Sequence, residues 1–234
     1  MIPDFKVFLQ YFSKETIQML RLKDMLKVSQ QIYFNAKNDS MKEEIMGFLQ
    51  KSLSKQTELS PEFLLEIYFL QLTNPYGFFL DMRSSSMKFQ DGQFCWNPKP
   101  LYYKFSDNFA AGLRKVYHGF FLDMPEVLQE GIDETQLLPP GSTEQQKSDL
   151  QQLLLDHFGN VKNEPMKFTL VRFSKSFHHV FMFFKKNNLS VPSDFVVLGC
   201  LLTSLYWGLE RMGKTANVGE AFHKAFLKTK KLKA

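Results

Sequence analysis

Three aspartates, Asp81, Asp91 and Asp107, lie in or beside a short stretch of β-favouring residues and are the acids best placed to hold a metal ion or handle a phosphate. Phosphoryl transfer needs more than acids: metal-binding carboxylates, a group that orients the nucleophile, and a lysine and loop over the phosphates. Aspartates are equally ordinary turn residues, so both readings stay open here. The five histidines, His118, His157, His178, His179 and His223, form no His-Glu-x-x-His or comparable ligand spacing, and adjacent His178 and His179 leave a helix on different sides. Cys95 and Cys200 have apolar neighbours and no partner spacing, which reads as two core thiols. The chain has no Gly-x-Ser-x-Gly elbow, Walker loop or dinucleotide turn, and only Gly47 precedes Gly77. No metal site and no cofactor are expected.

The elements that must position these residues are mostly helices. Ser13 opens a helix running to about residue 35, Ser40 with Glu43 forms a capping box for the next, and Ser60-Pro61-Glu62 starts a third over 62–72. That third helix is apolar almost all round and should be central. Asp91-Gly92 between two short alternating runs predicts one β-hairpin at about residues 87–96. Ser106 then caps a helix over about 107–122, Pro125 starts a short one ended by Gly131, and Ser142 with Gln145 frames a capping box for a helix stopped at Gly159. Met166, Leu170, Phe173, Phe177, Val180 and Phe184 recur at helical spacing, as do Phe195, Leu198, Leu202, Leu205, Leu209 and Met212. Joined by residues 187–192, these two stripes predict an antiparallel helical hairpin. The fold class is mainly α, one domain over 1–234, with N-terminal helices in 1–60, a main helical part in 61–213 and a C-terminal segment in 214–234.

The order of motifs resembles the kinase-like lobe of the UbiB/AarF atypical kinase family. An apolar helix leads into Gly77-Phe78-Phe79-Leu80-Asp81, then Arg83-Ser84-Ser85-Ser86, a strand, Asp91-Gly92, a second strand, Asn97-Pro98-Lys99, and Lys104-Phe105-Ser106-Asp107 opening a helix. Downstream, residues 189–199 and the end near Leu209-Glu210-Arg211-Met212-Gly213 resemble the family's late helical segment. The likeness covers about 60% of the chain and excludes residues 1–60; the family's small lobe, Lys-x-Gly-Gln motif and ATP-anchoring lysine have no counterpart. It implies a protein-kinase-like C-terminal lobe in which chemistry has eroded. Leu80 stands at the family's histidine, Ser86 at its metal-binding asparagine and Asn97 at its metal-binding aspartate. Asp81 is the weak candidate for the catalytic aspartate, and only if one residue is deleted; Asp107 lies close to these motif positions. A neutral asparagine binds Mg²⁺ less well than a carboxylate, and Lys99 adds repulsion. The resemblance implies a catalytically inactive domain with a binding or scaffolding role, linked through the family to prenyl-lipid or quinone metabolism. Two other readings remain: an unrelated all-helical protein-interaction domain, and a phosphoryl-transfer enzyme with an atypical site.

Charge narrows the partners. The net charge is +5, and the five lysines of residues 223–234 account for it, leaving a balanced body. Those at 228, 230 and 231 (Lys228, Lys230, Lys231), with Lys175, Lys185 and Lys186 of the Phe-rich helix, are the candidates for membrane or anion contact. Nucleic acid is not expected; a protein partner or an apolar ligand is, with peripheral contact to an anionic membrane as an addition. The start of the chain lacks a signal-peptide pattern, and residues 195–209 offer 15 uncharged residues where a span needs ~18 or more, so a cytoplasmic protein with a buried helix there is the expectation.

Overall fold

The computed structural model describes residues 22–53 and 56–231, without the side chains of 22–25 and 229–231. Among them the chain is mainly helical: α1 (Leu22–Asn35), α2 (Asp39–Ser52), α3 (Pro61–Thr73), α4 (Asp107–Phe121), α5 (Pro125–Glu134), α6 (Glu144–Phe158), α7 (Leu170–Lys186), α8 (Ser193–Met212) and α9 (Val218–Lys231). The short strands are β1 (Phe78–Phe79), β2 (Met87–Gln90), β3 (Gln93–Trp96), β4 (Tyr102–Tyr103), β5 (Met166–Lys167) and β6 (Thr215–Ala216). They pair as three antiparallel couples, β1 with β4, β2 with β3 and β5 with β6. The Ser13 start of the first helix lies outside the described residues.

The chain sorts into two compact units that interleave in sequence. Among the described residues one holds Phe105–Gly159 and Leu170–Cys200, the other 29–104, Asn160–Thr169 and 201–231.

In the second unit, α3 is the centre, as its all-round apolar character requires. Ser60 accepts a hydrogen bond from the Phe63 N–H at 3.1 Å and Pro61 occupies the first turn, so the start is fixed by its cap. Every residue from Phe63 to Leu72 is buried, including two polar ones, Glu66 and Gln71. Gln71 takes the Phe79 N–H at 2.8 Å and thereby ties β1 to the helix. The Phe63 ring meets Phe94 at 5.0 Å and Phe89 at 5.8 Å, seating the β2–β3 hairpin on the start of α3. Asp91 and Gly92 both have positive φ, as a type I′ turn demands. Helix α9 packs along α3, with Phe69 edge-on to Phe222 at 5.4 Å.

In the first unit, α4 and α5 pack backbone to backbone. A Cβ on Gly119 would lie 2.3 Å from the Leu128 nitrogen, one on Gly112 2.5 Å from the Thr135 nitrogen, and one on Gly131 2.6 Å from the Val116 nitrogen. Gly131 therefore does not end the short helix, which continues to Glu134: here glycine serves close approach, not chain reversal. Helices α7 and α8 meet through aromatic rings at the start of α8. Phe184 meets Phe195 near the joining turn, while Phe177, two turns earlier in α7, stacks on Phe195 at 5.1 Å and reaches Gly199.

Three further starts differ from expectation. Helix α2 is capped by Asn38, whose side chain accepts the Met41 N–H at 3.2 Å, not by Ser40 with Glu43. The capping box of α6 is Thr143 with Gln146, one residue beyond Ser142 with Gln145. Met166 and Lys167 are not helical: they pair with Ala216 and Thr215, and α7 begins at Leu170. At Ser106 the residue is the N-cap, but its hydroxyl donates to Asp194 at 2.5 Å. Among the described residues α8 is long and apolar enough to cross a membrane by length and composition, and 61% of its apolar window is buried.

Candidate functional site

The sequence points to the loops around the β2–β3 hairpin, and the structure brings most of those residues together in the second unit. Asp81 follows β1 and is almost fully buried, at 3% exposure. Its Oδ1 accepts from Arg83 Nε at 2.6 Å and from the Arg83 backbone N–H at 3.4 Å; its Oδ2 accepts from Arg83 Nη2 at 2.8 Å and from the Lys99 backbone N–H at 2.9 Å. Burial alone would raise the carboxyl pKa, but the Arg83 guanidinium and the Lys99 N–H outweigh it and hold Asp81 below the ordinary carboxylate value. Such a carboxylate is ionised, neutralised and fully engaged. Its lone pairs are directed at protein donors, which leaves no free oxygen to orient a nucleophile or bind a metal ion.

Ser86, Asn97 and Leu80 have structural work to do. The Ser86 hydroxyl donates to the Arg83 carbonyl at 2.7 Å and accepts from Trp96 Nε1 at 3.2 Å, closing the turn of residues 84–86 against β3. Asn97 is exposed, and its backbone N–H extends the hairpin ladder to the Ser86 carbonyl at 2.9 Å. Leu80 is buried, and its N–H bonds the Leu101 carbonyl at 2.9 Å, prolonging the β1–β4 pairing. Asp107 belongs to the other unit, exposed in the first turn of α4. Asp91 is an exposed turn residue. Among the described residues no group of three or more His, Cys, Asp or Glu side chains could hold a metal ion.

The basic candidates divide. Lys175, Lys185 and Lys186 are exposed on α7. Lys228 is not a free tail charge: its ammonium pairs with the buried carboxylate of Glu66 on α3, which removes it from the anion-contact set. The side chains of Lys230 and Lys231 lie outside the described residues. The sequence reading missed Arg83 and Glu66. The Asp81-x-Arg83 spacing is a usable local signal for the first; nothing local announces the second.

Both cysteines are free and half-buried, and burial pushes the Cys200 thiol up to about 12, so it is inert as a nucleophile at neutral pH. His157, in the first unit, is ringed by Phe158, Phe173 and Phe177 at 5.8, 6.2 and 6.0 Å, with Nδ1 2.8 Å from the Ser176 hydroxyl. Burial, with Arg172 nearby, lowers its pKa from 6.5 to about 4. A depressed folded-state value means that the unfolded chain takes up the proton first as pH falls. Stability attributable to neutral His157 is therefore complete above pH 6.5 and is lost as pH drops toward 4, amounting to about 3 kcal/mol. His157→Phe is expected to flatten this part of the stability curve, measured by urea unfolding at stepped pH; an unchanged slope would contradict the assignment.

Comparison with family models, with curated proteins and with solved structures finds no match for this chain.

Proposed function

We propose that the chain is a binding or scaffolding domain, laid out like the UbiB/AarF kinase-like lobe but without phosphoryl transfer. The observation that carries this reading is Asp81. The acid in the best position to serve chemistry is instead consumed by Arg83 and the Lys99 N–H as a brace between the loop after β1 and the segment after β3. Leu80, Ser86 and Asn97, at the motif positions where the family carries its histidine and metal ligands, are respectively a core residue, a hairpin brace and an exposed neutral amide. A site of this composition cannot collect the charge that two or more carboxylates supply to a nucleotide-bound Mg²⁺.

Thermal unfolding with saturating MgATP tests the reading. A ligand present at 100 times its dissociation constant adds ~2.7 kcal/mol of stability and shifts the midpoint by several degrees. The expected shift is none, for the native chain and for Asp81→Asn alike. A clear rise in the native chain, abolished by Asp81→Asn, would favour an atypical phosphoryl-transfer enzyme instead.

A further inference from the structure

Helix α7 has two opposed faces. Leu170, Phe173, Phe177, Val180, Phe181, Phe183 and Phe184 are buried, so all five of its phenylalanines belong to the core. The opposite face is exposed and carries Arg172, Lys175, His179, Lys185 and Lys186, together with Val171 at 70% and Met182 at 37% exposure. The 17-residue helix contains no acid. Among the described residues Lys175, Lys185 and Lys186 make no ion pair. Two acids on neighbouring α6 have side-chain partners within that helix: Asp149 accepts from Gln145 at 2.6 Å and Asp156 from Gln152 at 2.8 Å.

The spacing of this face is informative. Val171, Lys175, Met182 and Lys186 stand four, seven and four residues apart, a nearly straight stripe along a helix of about 25 Å. Straight, mixed cationic and apolar stripes suit a second helix lying alongside, with acids opposite the lysines and aliphatic groups opposite Val171 and Met182. A lipid surface fits less well, because interfacial helices insert broad apolar faces with Trp, Phe or Leu, and here those residues all point to the core. Single-stranded nucleic acid fits less well too, since no Phe, Tyr or Trp ring is exposed on this face for base stacking.

We propose that the outer face of α7 docks an acidic amphipathic helix of a partner protein. The inference rests on the binding role proposed above but uses α7 and not the loop that carries Asp81, so the nucleotide experiment and this one fail separately. The probe is a synthetic helical peptide with glutamates and leucines at the complementary spacing, followed by fluorescence anisotropy against the full chain at low and physiological salt. Lys175→Glu/Lys186→Glu is compared with Lys42→Glu/Lys51→Glu, which makes the same change in net charge at exposed lysines of α2. The α7 pair is expected to weaken binding about tenfold or more and the α2 pair by less than about twofold, because like charges then face each other only at the docked surface. Equal losses in the two variants, no binding at low salt, or tighter capture by phosphatidylserine vesicles or single-stranded DNA than by the peptide would each overturn the proposal.

Discussion

Lys228→Ala is expected to destabilise the second unit by about 3 to 5 kcal/mol, far more than a lysine in a basic C-terminal stretch normally contributes. The reason is Glu66. Its side chain is 1% exposed in the middle of α3, surrounded by Leu64, Leu65, Ile67 and Tyr68 in sequence, and the ammonium of Lys228 pairs with it from α9. Removing the lysine takes the paired cation from a carboxylate that is 1% exposed, and that share of the compensation for its desolvation is lost. Glu66→Leu combined with Lys228→Met should restore stability to the native level or above, because a well-packed apolar pair carries no desolvation penalty. Guanidinium unfolding of the single and double variants measures both quantities and their coupling. A single-variant loss below ~1 kcal/mol would mean that the pair is screened like a surface bridge and does not hold α9 to α3.

This pair also marks the limit of what the sequence discloses. The lysine-rich end reads locally as a solvated tail, and no periodicity links residue 66 to residue 228 across 162 positions. Nonlocal pairing is equally why Met166 and Lys167 are not helical: the spacing of Met166 continues that of α7, but β6 supplies a ladder that competes for their backbone. The caps of α2 and α6 missed by one or two residues because Asn38, Ser40, Ser142 and Thr143 are all competent caps and the local choice among them is worth little. By contrast α3, the Asp91-Gly92 hairpin and the phenylalanine stripes were legible because each rests on local chemistry repeated over several residues. In the candidate site the clustering of Asp81, Ser86 and Asn97 followed from the hairpin. The full engagement of Asp81 did not, because one of its four hydrogen bonds comes from the Lys99 backbone N–H, which a side-chain reading of the sequence does not consider.

The other large effect expected is at Phe195. It is 2% exposed and lies at the meeting of α7 and α8, with Phe177 stacked on it at 5.1 Å and an interplanar angle of 4°, and with Phe181 and Phe184 at 6.1 and 6.0 Å. Phe195→Ala removes the ring that all three share, and the loss is expected at about 3 to 5 kcal/mol, the range for emptying a buried aromatic site. Three large rings fixed on rigid helices cannot collapse into the vacancy without leaving their rotamers, which places the variant toward the upper end. Phe177→Ala alone should cost less than the sum suggests when combined with Phe195→Ala, because the stacked pair is lost once in either variant. At Gly199 the backbone leaves room for this arrangement, since a Cβ there would come within 2.8 Å of the Phe177 ring. Gly199→Ala is therefore expected to destabilise through the same cluster, by about 1 to 3 kcal/mol, even though alanine is the better helix former. If chemical denaturation instead finds Gly199→Ala stabilising and Phe195→Ala close to neutral, α7 and α8 do not pack through these rings.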